Sequence, residues 1–247
     1  LSQAEQTPFL GAWADTEPEP RQPKEPLSRN RIVAAAVAIL DRHGAAALSM
    51  RTLAEELHTA ATSLYRHVHN KGELLDLTVD ALMAEVDLPP DGLDWKAGMR
   101  AFSLNFRAVL RRHKGAAELR GTRLAIGPNT LRLMEWVVSR SLAAGFSETD
   151  AAAASATIFN YTVGCVLAET MPTLEIEAAG YTWDQFEAEM TRRLATLPLE
   201  RFPTTRRMLP MLLGHHHDQP FEYGLDALLD GLDARRAAGL GRMGREA

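Results

Sequence analysis

Residues 49–71, SMRTLAEELHTAATSLYRHVHNK, constrain this chain more than any other stretch. They spell two short helices with a tight turn between them and leave no room for another element. Ser49 is placed to cap the first helix, where Leu53, Ala54 and Leu57 make an apolar stripe and Glu55 and Glu56 face water. Ser49, Met50 and Arg51 bring a hydroxyl and a guanidinium to the first turn, where a phosphate is welcome. The turn falls at His58-Thr59. The second helix is expected over residues 60–68, with only Leu64 and Val68, four apart, turned inward. Its front is small and polar (Ala60, Ala61, Thr62, Ser63), followed by Tyr65, Arg66 and His67. A slim helix of this kind fits a DNA major groove, which admits one helix and little more.

Charge supports that reading once it is divided along the chain. The net charge is −5. Residues 1–27 hold five acids and two bases, a balance of −3; residues 28–72 hold six Arg/Lys and three acids, a balance of +3; the rest balances at −5. The only basic segment is therefore the one with the paired helices, the asymmetry DNA binding needs.

The remaining pattern is helical. Residues 1–27 carry five prolines and no periodicity, which suggests a flexible arm. Arg21 and Lys24 could lie in a minor groove, or the arm could be a solvated tail. A first helix is expected over residues 28–43, capped by Ser28, with Ile32, Ala35, Ala36, Ile39 and Leu40 inward and Gly44 as its stop. Arg29 and Arg31 near its start are candidates to neutralise phosphates. A longer helix over residues 71–86 buries Leu74, Leu75, Val79, Leu82 and Met83 and links the paired helices to the rest. Further helices are expected around residues 95–110 and 128–144. An alanine-rich helix capped by Ser147 follows, with Pro172 after it. A short helix is expected over residues 183–197, a segment over 208–213, and a last strong helix over residues 221–236. No alternating strand pattern and no repeat is present.

The order of motifs resembles the tetracycline-repressor (TetR) family. Ser-Met-Arg-x-Leu-Ala leads to Ser-Leu-Tyr-Arg-His-Val and then Asn-Lys-x-Glu-Leu-Leu. Gly-Thr-Arg (121–123), Ala-Gly-Phe-Ser (144–147), Thr-Val-Gly-Cys-Val-Leu (162–167) and Phe-x-x-Gly-Leu-x-x-Leu-x-x-Gly-Leu (221–232) extend the likeness through residue 236. The family usually has a turn glycine where this chain has His58, a residue that tolerates a left-handed backbone better than most. The resemblance implies an all-α protein in two domains after the arm. A three-helix helix-turn-helix DNA-binding domain takes residues 28–72, and a helical ligand-binding and dimerisation domain takes 73–247. It implies an allosteric regulator of transcription, by default a repressor. Its partners are double-stranded operator DNA, a small-molecule effector and a second copy of the chain, joined by helices near residues 151–168 and 221–236. The small residues of the alanine-rich helix suit such a bundle, but equally suit packing inside one subunit.

By the same resemblance, Arg51, Ala61 and Thr62 fall where bases are read, since Arg takes guanine in a fork and alanine offers a methyl contact. Ser63, Tyr65, His67 and Lys71 match phosphate-contacting positions, with Ser49 beside them, and Arg66 could do either. Asp87, Phe102, Phe106, Arg120 (or Leu119), Thr122, Met134, Val137, Ser155 and Phe159 match the ligand site. Leu119 or Arg120, Ala168 and Asp87 stand where the tetracycline repressor has a His, a Glu and another His for its magnesium-bound drug, and Glu169 lies one residue late. The aromatics point instead to a flat hydrophobic effector, without a metal or other cofactor. The run His215-His216-His217-Asp218 has poor geometry for a tetrahedral metal and could border the pocket.

Other classes find little support. There is no phosphate loop, no nucleophile elbow and no His-Glu-x-x-His, so an enzyme is not expected. The alternative is a helical small-molecule-binding protein or enzyme whose helix-turn-helix no longer holds DNA. The single cysteine, Cys165, precludes an internal disulfide and fits a reducing cytoplasm. Neither a membrane span nor a signal peptide is expected from the apolar runs.

Overall fold

The computed structural model describes residues 26–113, 115–123, 126–212 and 218–246. Arg21 and Lys24, and the three histidines 215–217, lie outside the described residues. Eleven α-helices and no strand occur among the described residues: α1 (Arg29–His43), α2 (Met50–Glu56), α3 (Ala61–Leu64), α4 (Lys71–Ala84), α5 (Trp95–Arg112), α6 (Ala116–Thr122), α7 (Pro128–Ala143), α8 (Glu148–Ala178), α9 (Trp183–Ala195), α10 (Pro203–Leu212) and α11 (Asp218–Glu246).

Caps fix where several helices start. The Ser28 hydroxyl accepts from the Arg31 amide at α1, Asn70 accepts from Glu73 at α4, and Ser147 accepts from Asp150 at α8. At α2 the capping is reciprocal: Ser49 accepts from the Thr52 amide, and Thr52 Oγ1 accepts from the Ser49 amide. His58 sits at φ 49, in the left-handed region, so the turn keeps a glycine-like backbone without glycine.

Two hydrophobic clusters organise the chain. The smaller gathers Ile32, Ala36 and Ile39 of α1, Leu48, Leu53 and Ala54, Leu64 and Val68, and Leu74 at the start of α4. The larger holds α5, α6, α7, α8 and α11 together, and takes in Val79, Leu82 and Met83 from the far end of α4. Leu75 packs against both. Helix α4 is thus one unbroken rod with one end in each core.

Three expectations about helices change. The second helix of the pair is only four residues long, not nine. Ala60 offers no side-chain cap, and the next amides tighten to three-residue spacing, Arg66 to Ser63 and His67 to Leu64, before Val68 reaches back four to Leu64. A segment this short does not hold an α-helix by itself, and burial of Leu64 and Val68 fixes it. The alanine-rich helix does not end before Pro172 but runs through it to Ala178. Proline removes one in-helix bond there, while Ile176 beyond it is buried and holds the last turns in place. The last helix begins three residues earlier, at Asp218, and continues past Arg236.

By length and composition α8 could cross a membrane, with a hydropathy of 1.4 over its most apolar window. Here it is a core helix: Ala151, Ala154, Ile158, Val163 and Val166 are buried against the other helices.

A candidate DNA-reading face and an effector pocket

The outward side of α2 and α3 collects the polar residues that the sequence singles out. Arg51 is 86% exposed, and its one ion-pair partner among the described residues is Glu55, at 3.9 Å. Thr62, Tyr65, Arg66 and Lys71 are exposed, and no hydrogen-bond or ion-pair partner is present for their side chains among the described residues. Ser63 and His67 are half-buried. Ala61 is partly buried and packs on the small core, so its methyl is only partly free on the outward side. Ser49 is committed to its capping role, which ties its hydroxyl to Thr52. Arg29, a candidate to neutralise phosphate, has partners within the protein. It donates to the His67 carbonyl at 3.2 Å and pairs with Glu73, also at 3.2 Å, strapping α1 and the α3 end to the start of α4. Glu73 also accepts from the His69 amide at 2.7 Å, and the His69 bonds hold its carboxyl below the usual range.

Among the helices after α3 a cavity opens between α4, α5, α6, α7 and α8. Phe102, Phe106 and Phe159 form its aromatic wall; Phe106 stacks on Phe159 at 5.2 Å between centroids, and Phe102 on Trp136 at 5.6 Å. Val137, Leu133, Ile158 and Met83 complete the apolar lining, and Met134 stands half-exposed at the rim. The polar side chains are Arg120, Thr130 and Ser155. Seven residues carried over by resemblance therefore meet around one cavity: Phe102, Phe106, Arg120, Met134, Val137, Ser155 and Phe159.

Two do not. Asp87 is exposed, and its carbonyl accepts from Asn105 at 2.8 Å, away from the lining. Thr122 is exposed at the end of α6 and its hydroxyl donates to the Glu118 carbonyl at 2.8 Å. Each sits beyond the helix segment that faces the cavity. Leu119 is buried in the core, leaving Arg120 as the α6 residue at the cavity. Glu169 is already engaged: Arg107 donates to it at 2.7 Å and Arg111 lies 3.4 Å away, while Arg107 and Arg111 also reach Asp218.

Sequence reasoning missed the residues that tie cavity to rod. Asp80 of α4 is nearly buried, and its carboxylate accepts from the Thr130 amide at 2.9 Å and the Asn129 amide at 3.3 Å. A carboxylate from α4 thus caps the N-terminus of α7, where Gly127 brings no side chain of its own. A Cβ on Gly127 would run into that carboxylate. In return Arg132 of α7 donates to the Met83 and Val86 carbonyls, at 3.1 and 2.9 Å, satisfying the C-terminus of α4. Arg123, after α6, donates to Asp76 at 2.7 Å and to the Gly72 carbonyl at 3.1 Å. The signal in the sequence was an acid, Asp80, set among the buried positions Val79, Leu82 and Met83.

The comparisons agree with this fold. Residues 32–78 match the model for bacterial regulatory proteins of the tetR family, and residues 88–236 match the tetracyclin repressor-like C-terminal domain. An HTH-type transcriptional regulator of Saccharopolyspora erythraea is 45% identical over 160 residues, 64% of this chain and 67% of that protein. The HTH-type transcriptional repressor DrrR1 of Streptomyces coeruleorubidus is 33% identical over 224 residues, 90% of this chain and 83% of its own. Among solved structures, ActR of Streptomyces coelicolor in complex with actinorhodin superimposes with a TM-score of 0.71 at 31% identity, covering 85% of this chain and 97% of its own.

Proposed function

The chain belongs to the tetR family, a DNA-binding transcriptional regulator that responds to a small molecule, and from that premise we propose that it is a homodimeric repressor released from a palindromic operator by a flat hydrophobic effector. The observation that carries the reading is α4. One end packs in the core behind the DNA-facing helices, and the other supplies Met83 and Asp80 to the cavity and its α7 wall.

On this reading residues 1–27 form an arm, residues 28–72 the reading domain and residues 73–247 the effector and dimer domain. Arg51, Ala61 and Thr62 read bases. Ser63, Tyr65, His67 and Lys71 fix register on phosphates, Arg66 does this or reads a base, and Ser49, its hydroxyl tied to Thr52, caps the helix that carries Arg51. Phe102, Phe106, Arg120, Met134, Val137, Ser155 and Phe159 contact the effector. A single short helix reads too few base pairs for a unique site, so two copies are needed, related by a two-fold axis. The outer face of α8 suits that pairing: Ala153, Thr157, Asn160, Gly164 and Ala168 are exposed, small and spaced three or four apart. Tyr223, Ala227 and Ala234 are exposed on α11 beside it. The chain performs no catalysis on this reading and works in the cytoplasm, where its DNA lies.

Effector in the cavity acts on α7 and α8. Because α4 and α7 cap one another, a shift of the α7 N-terminus moves the α4 rod, and with it the spacing of the two reading helices. Selection of bound fragments from the source genome tests the proposal. It predicts palindromic sites with half-site centres about 34 Å apart or a multiple of it, and affinity that falls steeply with salt. No salt-dependent retention on any fragment would leave only a small-molecule-binding protein.

A further inference from the structure

Two polar atoms at the cavity have no partner among the described residues. One is Arg120 Nε and the other is Thr130 Oγ1, and both are fully shielded from water. Such atoms are costly where they stand, because burial removes water and nothing replaces it. The Arg120 guanidinium lies 4.0 Å from the centre of the Phe159 ring, and one of its end nitrogens donates to the Arg123 carbonyl at 3.2 Å. No carboxylate among the described residues pairs with it, and none lines the cavity. Burial alone lowers its affinity for a proton, yet a guanidinium stays charged at ordinary pH. Other arginines of this domain show the contrast: Arg107 meets Glu169 and Asp218, and Arg123 meets Asp76. Thr130 likewise keeps its hydroxyl unbonded while its amide is capped by Asp80.

We propose that the effector is a planar aromatic acid whose anionic oxygens pair with Arg120 and whose second polar oxygen meets the Thr130 hydroxyl, its rings lying against Phe106 and Phe159. The inference rests on the effector pocket proposed above and adds its charge requirement. A half-buried cation on a ring face, with no carboxylate beside it, is a preformed half of an ion pair. An aromatic carboxylate supplies the other half and the flat surface together. A neutral hydrophobe of the same shape leaves both polar atoms unbonded, which is how a site rejects an analogue that lacks the matching group.

The test uses the full chain and two probes, anthraquinone-2-carboxylate and the neutral anthraquinone-2-carboxamide, titrated by calorimetry. The acid is expected to bind about tenfold or more tightly than the amide, as a charged hydrogen bond requires. Arg120→Met should bring the two together by weakening the acid, and Arg120→Lys should keep most of the preference. Thr130→Val should weaken both probes. Should Arg120→Met fail to fold, the wild-type ratio and the Arg120→Lys ratio still decide. Equal binding of acid and amide to the wild type overturns the charge requirement and leaves the pocket standing. Binding of neither probe overturns the assignment to planar aromatics altogether. Salt-dependent retention of the same preparation on DNA reports the reading domain separately, whatever the probes do.

Discussion

The two ends of α4 leave polar groups unpaired for opposite reasons. At the DNA-facing end, Thr62, Tyr65, Arg66 and Lys71 are exposed. Water satisfies them, so keeping them free costs the fold almost nothing, and on the proposed reading each meets a phosphate or a base. At the cavity end, Arg120 and Thr130 carry atoms that water does not reach. Keeping those free costs stability until a ligand arrives. The first arrangement gives a binding surface that is always available and sensitive to salt. The second gives a site in which the ligand completes the interior, so that binding and rearrangement are linked.

The largest effect expected from separating the two ends comes from the small core. Leu64 is fully buried and is one of two residues that hold the short α3 in place. Leu64→Ala should cost about 2–5 kcal/mol in the reading domain. In a melting experiment with ligand, loss of DNA binding together with an intact pocket would sharpen the division. Joint collapse of both domains would instead show that α4 makes one cooperative unit.

Gly127→Ala attacks the connection between the ends. A methyl there meets the Asp80 carboxylate, so the α4–α7 cap must open. Overpacking of this kind costs about 1–3 kcal/mol, seen as a lower Tm. Operator affinity should then answer less to effector than in the wild type. An unchanged response would take the mutual cap out of the mechanism.

On the DNA side, Arg51→Ala should lose about 1–3 kcal/mol of discrimination at one base position and little elsewhere. Binding to operators mutated one position at a time measures it. Unchanged discrimination at every position would remove Arg51 from base reading. Smaller still is Lys71→Ala, which should weaken all sequences alike and reduce the slope of log affinity against log salt by about one. A change confined to one base pair would contradict a phosphate role.

Much of the reading domain was legible because its information is local. Ser28 and Ser49 announce helix starts, Leu53, Leu64 and Val68 mark the interior, and His58 occupies the left-handed turn. The length of α3 was not legible, since a stub held by tertiary packing carries no helical periodicity of its own. Pro172 misled for the reverse reason: a residue that breaks isolated helices is carried here by the packing of Ile176. The cavity was legible in part. Phe102, Phe106 and Phe159 come from three turns on two helices and meet in space, while Asp87 and Thr122 fall just past the segments that face inward. Thr130 and Asp80 escaped notice because their roles are set by a contact between helices 50 residues apart.

The most direct test of the α4 linkage is reciprocal titration. Operator affinity is measured with and without an effector found by thermal-shift screening, and effector affinity is measured with and without operator. A shared rod predicts that each ligand weakens the other by the same factor. Effector affinity that is identical on free and operator-bound protein would contradict it.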